Sequence, residues 1–181
     1  MKTAFIIHGA YGSPNENWIP YLKKELESKE WEVKVLVFPT PEAQNITSWF
    51  KIIDPFLQDM DVETILIGHS IGATFILHIL EKLKITIKAS YLVSGFLGPL
   101  DNPEFDELNK TFLKDFDWIA IKKHSEKFYI YHSDNDPYVP IKEAEEISDA
   151  LGTKLTVVKD AGHFNTESGY IKFERLLEDI K

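Results

Sequence analysis

Short, nearly unbroken apolar runs alternate along the chain with longer stretches in which apolar positions recur every three or four residues. The runs at 5–7, 33–38, 65–67, 91–93, 128–131 and 155–158 predict six strands, and their continuity predicts strands covered on both faces. The intervening periodicity predicts helices over 15–29, 46–58, 71–83, 141–151 and 167–180. Strand–helix alternation implies a parallel sheet with helices on both sides, a three-layer, doubly wound α/β architecture. No repeat, low-complexity tract or linker interrupts it, so residues 1–181 read as one domain. The segment 95–123 is the irregular part. It carries Gly98, Pro99 and Pro103, then Phe105, Phe112, Phe116 and Trp118. It is too long for a tight turn and predicts one or two short helices over one end of the sheet.

Composition narrows the function. With 29 acidic against 20 basic residues the formal net charge is -9, which repels phosphate backbones, so no nucleic-acid partner is expected. The chain has no cysteine, which removes disulfides, thiolate zinc sites and a cysteine nucleophile together. The first apolar run is far too short for a secretory signal and nothing approaches a membrane span. No membrane association and a cytoplasmic location are the expectations.

The chemistry concentrates at strand ends. Gly68-His69-Ser70-Ile71-Gly72 follows the third predicted strand and opens a helix that is apolar nearly all round. A serine exposed on a sharp strand-to-helix turn needs glycines on both sides, where backbones pack close and dihedrals are strained. A serine that merely caps a buried helix would fit the pentapeptide as well. Two later loops favour the nucleophile. His132-Ser133-Asp134-Asn135-Asp136-Pro137 follows the fifth strand, and Asp160-Ala161-Gly162-His163-Phe164 follows the sixth. An acid and then a histidine after strand C-termini are the partners that a serine nucleophile needs. His163 is the expected base. Asp136 is the favoured acid, because Pro137 fixes the backbone beside it; Asp134 and Asp160 are the alternatives, each able to serve its own turn instead.

Of the other histidines, His69 and His78 suit packing and His8 the ordering of its loop, while His124 lies in a basic surface stretch and His132 ends a strand. Their spacing suggests no metal site, and no cofactor is expected. An oxyanion would be bound by the N–H of Ile71 and by a donor from the loop 8–14, with Ala10 leading. That loop lacks the glycine spacing and lysine of a phosphate cradle. Tyr11, Phe105, Phe112, Phe116 and Trp118 are the candidates to line an apolar substrate slot.

Taken jointly, the run 5–9 with Gly12, the pentapeptide 68–72 with Ala73, the segment 134–140 and the turn 162–164 resemble the α/β-hydrolase superfamily, specifically its small, lidless serine hydrolases of the retinoblastoma-binding protein 9 type. The resemblance covers nearly the whole chain. It implies a six-stranded, all-parallel sheet of order 2-1-3-4-5-6, and it puts nucleophile, acid and base on Ser70, Asp136 and His163. The resemblance supplies a serine-hydrolase chemistry and not a substrate; the leading reading is hydrolysis of small carboxylic esters or amides through an acyl-enzyme, with a small molecule as partner. Retinoblastoma protein is not expected as a partner, because a chain without cysteine cannot carry the L-x-C-x-E motif through which that protein is engaged. Two other classes compete: a non-catalytic binding or scaffold protein that retains the fold, and a flavodoxin-like nucleotide binder.

Overall fold

The computed structural model describes residues 2–181. Six strands form one sheet: β1 (Thr3–Ile7), β2 (Glu32–Val35), β3 (Thr64–His69), β4 (Ala89–Val93), β5 (Phe128–Ser133) and β6 (Leu155–Val158). Their order is β2-β1-β3-β4-β5-β6, and every neighbouring pair is parallel. The helices are α1 (Ile19–Glu27), α2 (Ile46–Leu57), α3 (Ile71–Lys82), α4 (Pro103–Asn109), α5 (Trp118–Lys123), α6 (Ile141–Leu151) and α7 (Glu174–Asp179). The irregular segment 95–123 holds two short helices, α4 and α5, as its composition implied.

Side-chain alternation divides the strands between two cores. Phe5 and Ile7 of β1 point to one face, with Trp49 and Phe50 of α2, Phe75 and Ile76 of α3 and Ile147 of α6. Ala4 and Ile6 point to the other, with Ile19, Leu22 and Leu26 of α1 and Leu176 of α7. Since both faces are covered, the central strands can be apolar throughout. Phe75 is at the centre of the first core, within 5.0 to 6.1 Å of the rings of Phe38, Trp49, Phe50 and Phe112. Among the described residues, no helix is long and apolar enough to cross a membrane.

Three of the boundaries that shift have a traceable cause. β2 stops at Val35, because residues 36–38 peel away and the Phe38 N–H donates to the His8 ring instead of the sheet. α1 begins four residues late: Asn17 has φ 55°, which breaks the helical path, and Pro20 suits the first turn that follows. The helix expected over 167–180 is split. A 3-10 turn (Thr166–Ser168) ends at Gly169 with φ 79°, and Tyr170 and Phe173 then pack on Phe164 before α7 starts. Tertiary packing of three rings overrides the helical period there.

Phe75→Ala should remove about 3–5 kcal/mol of stability, because it opens a large cavity in the aromatic cluster. Ile119→Ala, at a position 83% exposed, should change it by less than about 0.5 kcal/mol. Urea unfolding of the two variants checks the contrast; comparable losses would mean that the first core is not where the stability resides.

Candidate active site

The order β2-β1-β3 makes the chain return across the sheet, so β1 and β3 lie side by side while their following loops diverge. Open α/β sheets bind ligands in the crevice this creates at the strand C-termini. Ser70 stands on that edge between β3 and α3, with φ 56° and ψ -127°. Such a conformation is costly for a residue with a side chain and persists only where its surroundings hold it. Here the Ser70 N–H donates to the Val93 carbonyl at 2.8 Å, and its own carbonyl accepts from Ala73 N–H at 2.9 Å. The flanking glycines are sterically required. A Cβ on Gly68 would lie 2.6 Å from the Gly72 carbonyl carbon, and one on Gly72 would lie 2.5 Å from the Ile7 carbonyl oxygen.

Asp136 and His163 come from the loops after β5 and β6. His163 Nδ1–H donates to Asp136 Oδ2 at 2.8 Å, which leaves Nε2 as the free nitrogen of the ring. Asp136 Oδ1 accepts from the Tyr138 and Val139 N–H groups at 3.0 and 3.1 Å, and the Asp136 side chain is 1% exposed. The rest of the acid loop holds the histidine loop. Asp134 Oδ1 accepts from Asp160 N–H, Ser133 Oγ from Ala161 N–H, and Asn135 Oδ1 from Gly162 N–H, all at 2.8 to 2.9 Å. Asp134 therefore ties the two loops together instead of serving its own turn, and Asp160 is exposed. Gly162, at φ 54°, has Ser168 Oγ where a Cβ would be. The sequence marked the run Ser133-Asp134-Asn135 only as part of the acid loop and missed its role in holding the histidine loop, for which three consecutive short polar side chains after a strand end were the signal.

Ser70, His163 and His69 line one cavity of about 430 Å³, together with Ala10 and Tyr11 of the loop after β1. Ile71 is the first residue of α3, so its N–H has no acceptor within the helix. In the loop after β1, Tyr11 N–H is used by Thr40 Oγ1 and Gly12 N–H by the Gly9 carbonyl; Ala10 N–H has no such partner among the described residues. Gly9 is packed so close that a Cβ would lie 3.0 Å from Ser70 Cβ.

Of the five side chains expected in the pocket, Tyr11 and Phe105 line this cavity. Phe112 does not. It is fully buried under α2 and α3, its ring 4.9 Å from that of Trp49. Phe116 and Trp118 also lie elsewhere, in a separate recess with Lys114 and Glu143; Phe116 packs on His78 and Trp118 on Phe116. Their places are taken by Phe96, Leu100 and Tyr138, and the walls also carry polar Asn17, Asn109 and Asn165, which no local pattern marked.

A family model described as serine hydrolase matches residues 4–181. The chain belongs to the serine hydrolase family. This hydrolase is 28% identical over 171 residues to YdeN of Bacillus subtilis, covering 93% of the chain and 89% of that protein. The crystal structure of the ydeN gene product superposes with a TM-score of 0.92 over 98% of the chain and 96% of its own, at 26% identity. Serine hydrolase RBBP9 of Rattus norvegicus is 29% identical over 182 residues, covering 98% of the chain and 93% of its own length. The esterase domain of a Rhodothermus marinus protein has the same fold at 18% identity, with a TM-score of 0.68 over 98% of the chain and 85% of that domain.

The histidines of the hydrolase divide by their partners. His8 accepts from Phe38 N–H through Nε2 and donates to the Gly9 carbonyl through Nδ1. His69 donates to the His163 carbonyl at 2.7 Å, His78 to Phe112, His124 to Leu80 and His132 to Val139. Burial holds His8, His78 and His132 below the usual histidine range. For His69, burial and then the neighbouring His163 charge push the value down to about 3. Burial alone would raise Asp136, but the bonds from His163, Tyr138 and Val139 outweigh it and hold the carboxyl below its ordinary value. Both effects act in one direction. A ring that takes its proton at 6.5 when unfolded and at about 3 when folded costs stability as pH falls through that interval. A carboxylate held low adds stability above 3.8, which is lost as pH falls through its lowered folded value.

His69→Gln, which keeps an amide donor for the His163 carbonyl but cannot titrate, should flatten the acid side of the stability profile. The slope difference should approach about 1.4 kcal/mol per pH unit between roughly pH 4 and 6. Urea unfolding at several pH values checks it, and parallel profiles would show that His69 takes up its second proton as readily in the fold as in the unfolded chain.

Proposed function

We propose that this serine hydrolase cleaves small carboxylic esters or amides through an acyl-enzyme on Ser70, with His163 as base and Asp136 as its orienting acid. The observation that carries the reading is the 2.8 Å bond from His163 Nδ1–H to a buried Asp136, on a ring that shares one cavity wall with Ser70. That bond fixes the tautomer in which Nε2 can accept a proton. Ser70 Oγ attacks the substrate carbonyl as its proton passes to His163 Nε2. The negative charge on the tetrahedral oxygen is met by the N–H groups of Ile71 and Ala10, helped by the positive end of α3. The alcohol or amine leaves with the proton from His163. Water, deprotonated by the same ring, then attacks the acyl-enzyme and releases the carboxylic acid and Ser70.

The turn around Ser70 supports its part as a nucleophile elbow, because the strain is maintained by close backbone packing and serves no evident capping: the Ser70 side chain caps nothing in α3. A cavity of about 430 Å³ suits a small substrate. A cytoplasmic location belongs to the same reading, since a chain with no cysteine takes nothing from an oxidising compartment.

Ser70→Ala should abolish labelling by a fluorophosphonate probe and lower kcat by several orders of magnitude. Asp136→Asn should cost about three to four decades in kcat. Asp134→Asn keeps an oxygen for the Asp160 N–H and should cost less than about tenfold. Steady-state kinetics on an activated short-chain ester measure all three. Turnover that survives Ser70→Ala would defeat the assignment, and equal losses at the two aspartates would defeat the choice of acid.

The cavity volume makes a separate statement about substrate size. Esters with short or medium acyl chains should be turned over better than long-chain ones. A p-nitrophenyl ester series of increasing chain length tests this; best activity on the longest chains would contradict it.

A further inference from the structure

A directional chain of hydrogen bonds runs from the loop after β1 to Asn109 on the wall of the Ser70 cavity. It begins at a backbone donor that has no alternative role. Tyr11 N–H donates to Thr40 Oγ1 at 2.7 Å, so the Thr40 hydroxyl donates onward to Gln44 Oε1 at 2.5 Å. The Gln44 amide is thereby oriented, and its Nε2 donates to Asn109 Oδ1 at 2.7 Å. Each link fixes the next, and the last residue has its amide nitrogen left over. Asn109 is the C-terminal residue of α4 and is 2% exposed, yet it lines the cavity that Ser70 and His163 line. Its Nδ2 has no acceptor among the described residues. Because Nδ2 itself is open to the cavity and not sealed in the core, a substrate oxygen can accept from it, whereas an analogue without that oxygen would cover the donor and leave it unpaired at a cost.

We infer that Asn109 is a specificity-determining residue, whose Nδ2–H donates to a second, uncharged oxygen on the substrate, beyond the ester or amide group that reacts. An ether, hydroxyl or further carbonyl oxygen fits. A carboxylate does not, because Glu16 and Glu167 line the same cavity and, among the described residues, no lysine or arginine does. Phe96, Leu100 and Phe105 supply the apolar part of the wall. A site built around a fixed polar group discriminates against the analogue that lacks its partner more strongly than an apolar slot discriminates by size. The inference rests on the reading of Ser70 as nucleophile in this cavity.

The test uses two matched ester pairs, each differing by one oxygen in place of a methylene: p-nitrophenyl methoxyacetate against p-nitrophenyl butyrate, and 2-methoxyethyl butyrate against butyl butyrate. The first pair places the oxygen on the acyl side, the second on the alcohol side. The quantity read is the ratio of kcat/KM within a pair, compared between the wild type and Asn109 variants, so that intrinsic reactivity cancels. In at least one pair the ratio should fall by about tenfold or more in both Asn109→Leu and Asn109→Asp. Asn109→Asp still accepts from Gln44, so it decides the matter if Asn109→Leu fails to fold. Ratios unmoved in both pairs in folded Asn109→Asp, with turnover still dependent on Ser70, would overturn this inference alone. Turnover that persists in Ser70→Ala would overturn the reading of the cavity and this inference with it.

Discussion

Three backbones meet at one point near the middle of the sheet, and the geometry of this molecule follows from how close they come. The C-terminal end of β1, the turn after β3 and the first turn of α3 approach so tightly that a single Cβ on Gly68 or Gly72 would collide with main-chain atoms at 2.5 to 2.6 Å. The approach forces Ser70 into a left-handed conformation that serine does not favour. It also aims the N-terminus of α3 at the cavity and brings Gly9 against Ser70. Were the crossing looser, the serine could relax into an ordinary cap, and the loop after β1 would not lie against it. The strain is local, but what maintains it is the whole first core, since α3 is buried along nearly its full length.

The remainder of the edge is arranged so that one histidine differs from the others. His8, His69, His78, His124 and His132 each spend a ring nitrogen on a backbone carbonyl, and burial keeps four of them below their usual range. His163 alone lies within hydrogen-bond distance of a carboxylate; His132 is 3.9 Å from Asp136 Oδ2. Burial of a neutral imidazole is cheap when a carbonyl accepts its N–H, and a buried carboxylate is tolerable when three donors surround it. Under the proposed function, that asymmetry allows one ring to cycle its proton while its neighbours stay neutral. His69 contributes further by holding the His163 carbonyl, and Ser133, Asp134 and Asn135 hold the three residues before it, so the histidine is placed by its backbone as well as by Asp136.

Much of this was legible along the chain. The six strands, the all-parallel sheet and the covered faces follow from short apolar runs alternating with amphipathic ones, because period and length are local properties that burial on both sides leaves visible. The turn at Ser70 was legible because only glycine tolerates what flanks it, and the loops of Asp136 and His163 because turn-forming residues follow strand ends. Boundaries failed where a distant contact decided them: Phe38 leaves β2 to reach His8, and the rings of Phe164, Tyr170 and Phe173 interrupt a helix that periodicity extended.

The walls of the cavity were another matter. Phe105 and Phe112 are seven positions apart in an aromatic-rich segment, and nothing local separates the one that faces the cavity from the one that fills the core. The difference arises because α4 ends at Asn109 and the chain then turns Phe112 beneath Trp49 and Phe75. Asn109 itself is an unremarkable polar residue in the sequence, and its burial, its bond to Gln44 and its place on the cavity wall exist only once residues 65 positions apart are packed together. Which elements form, and which chemical groups stand at their ends, could be read along the chain, since both rest on local periodicity and turn chemistry. Which side chains share the cavity could not, because that depends on long-range packing, which leaves no mark on the neighbours of a residue in the chain.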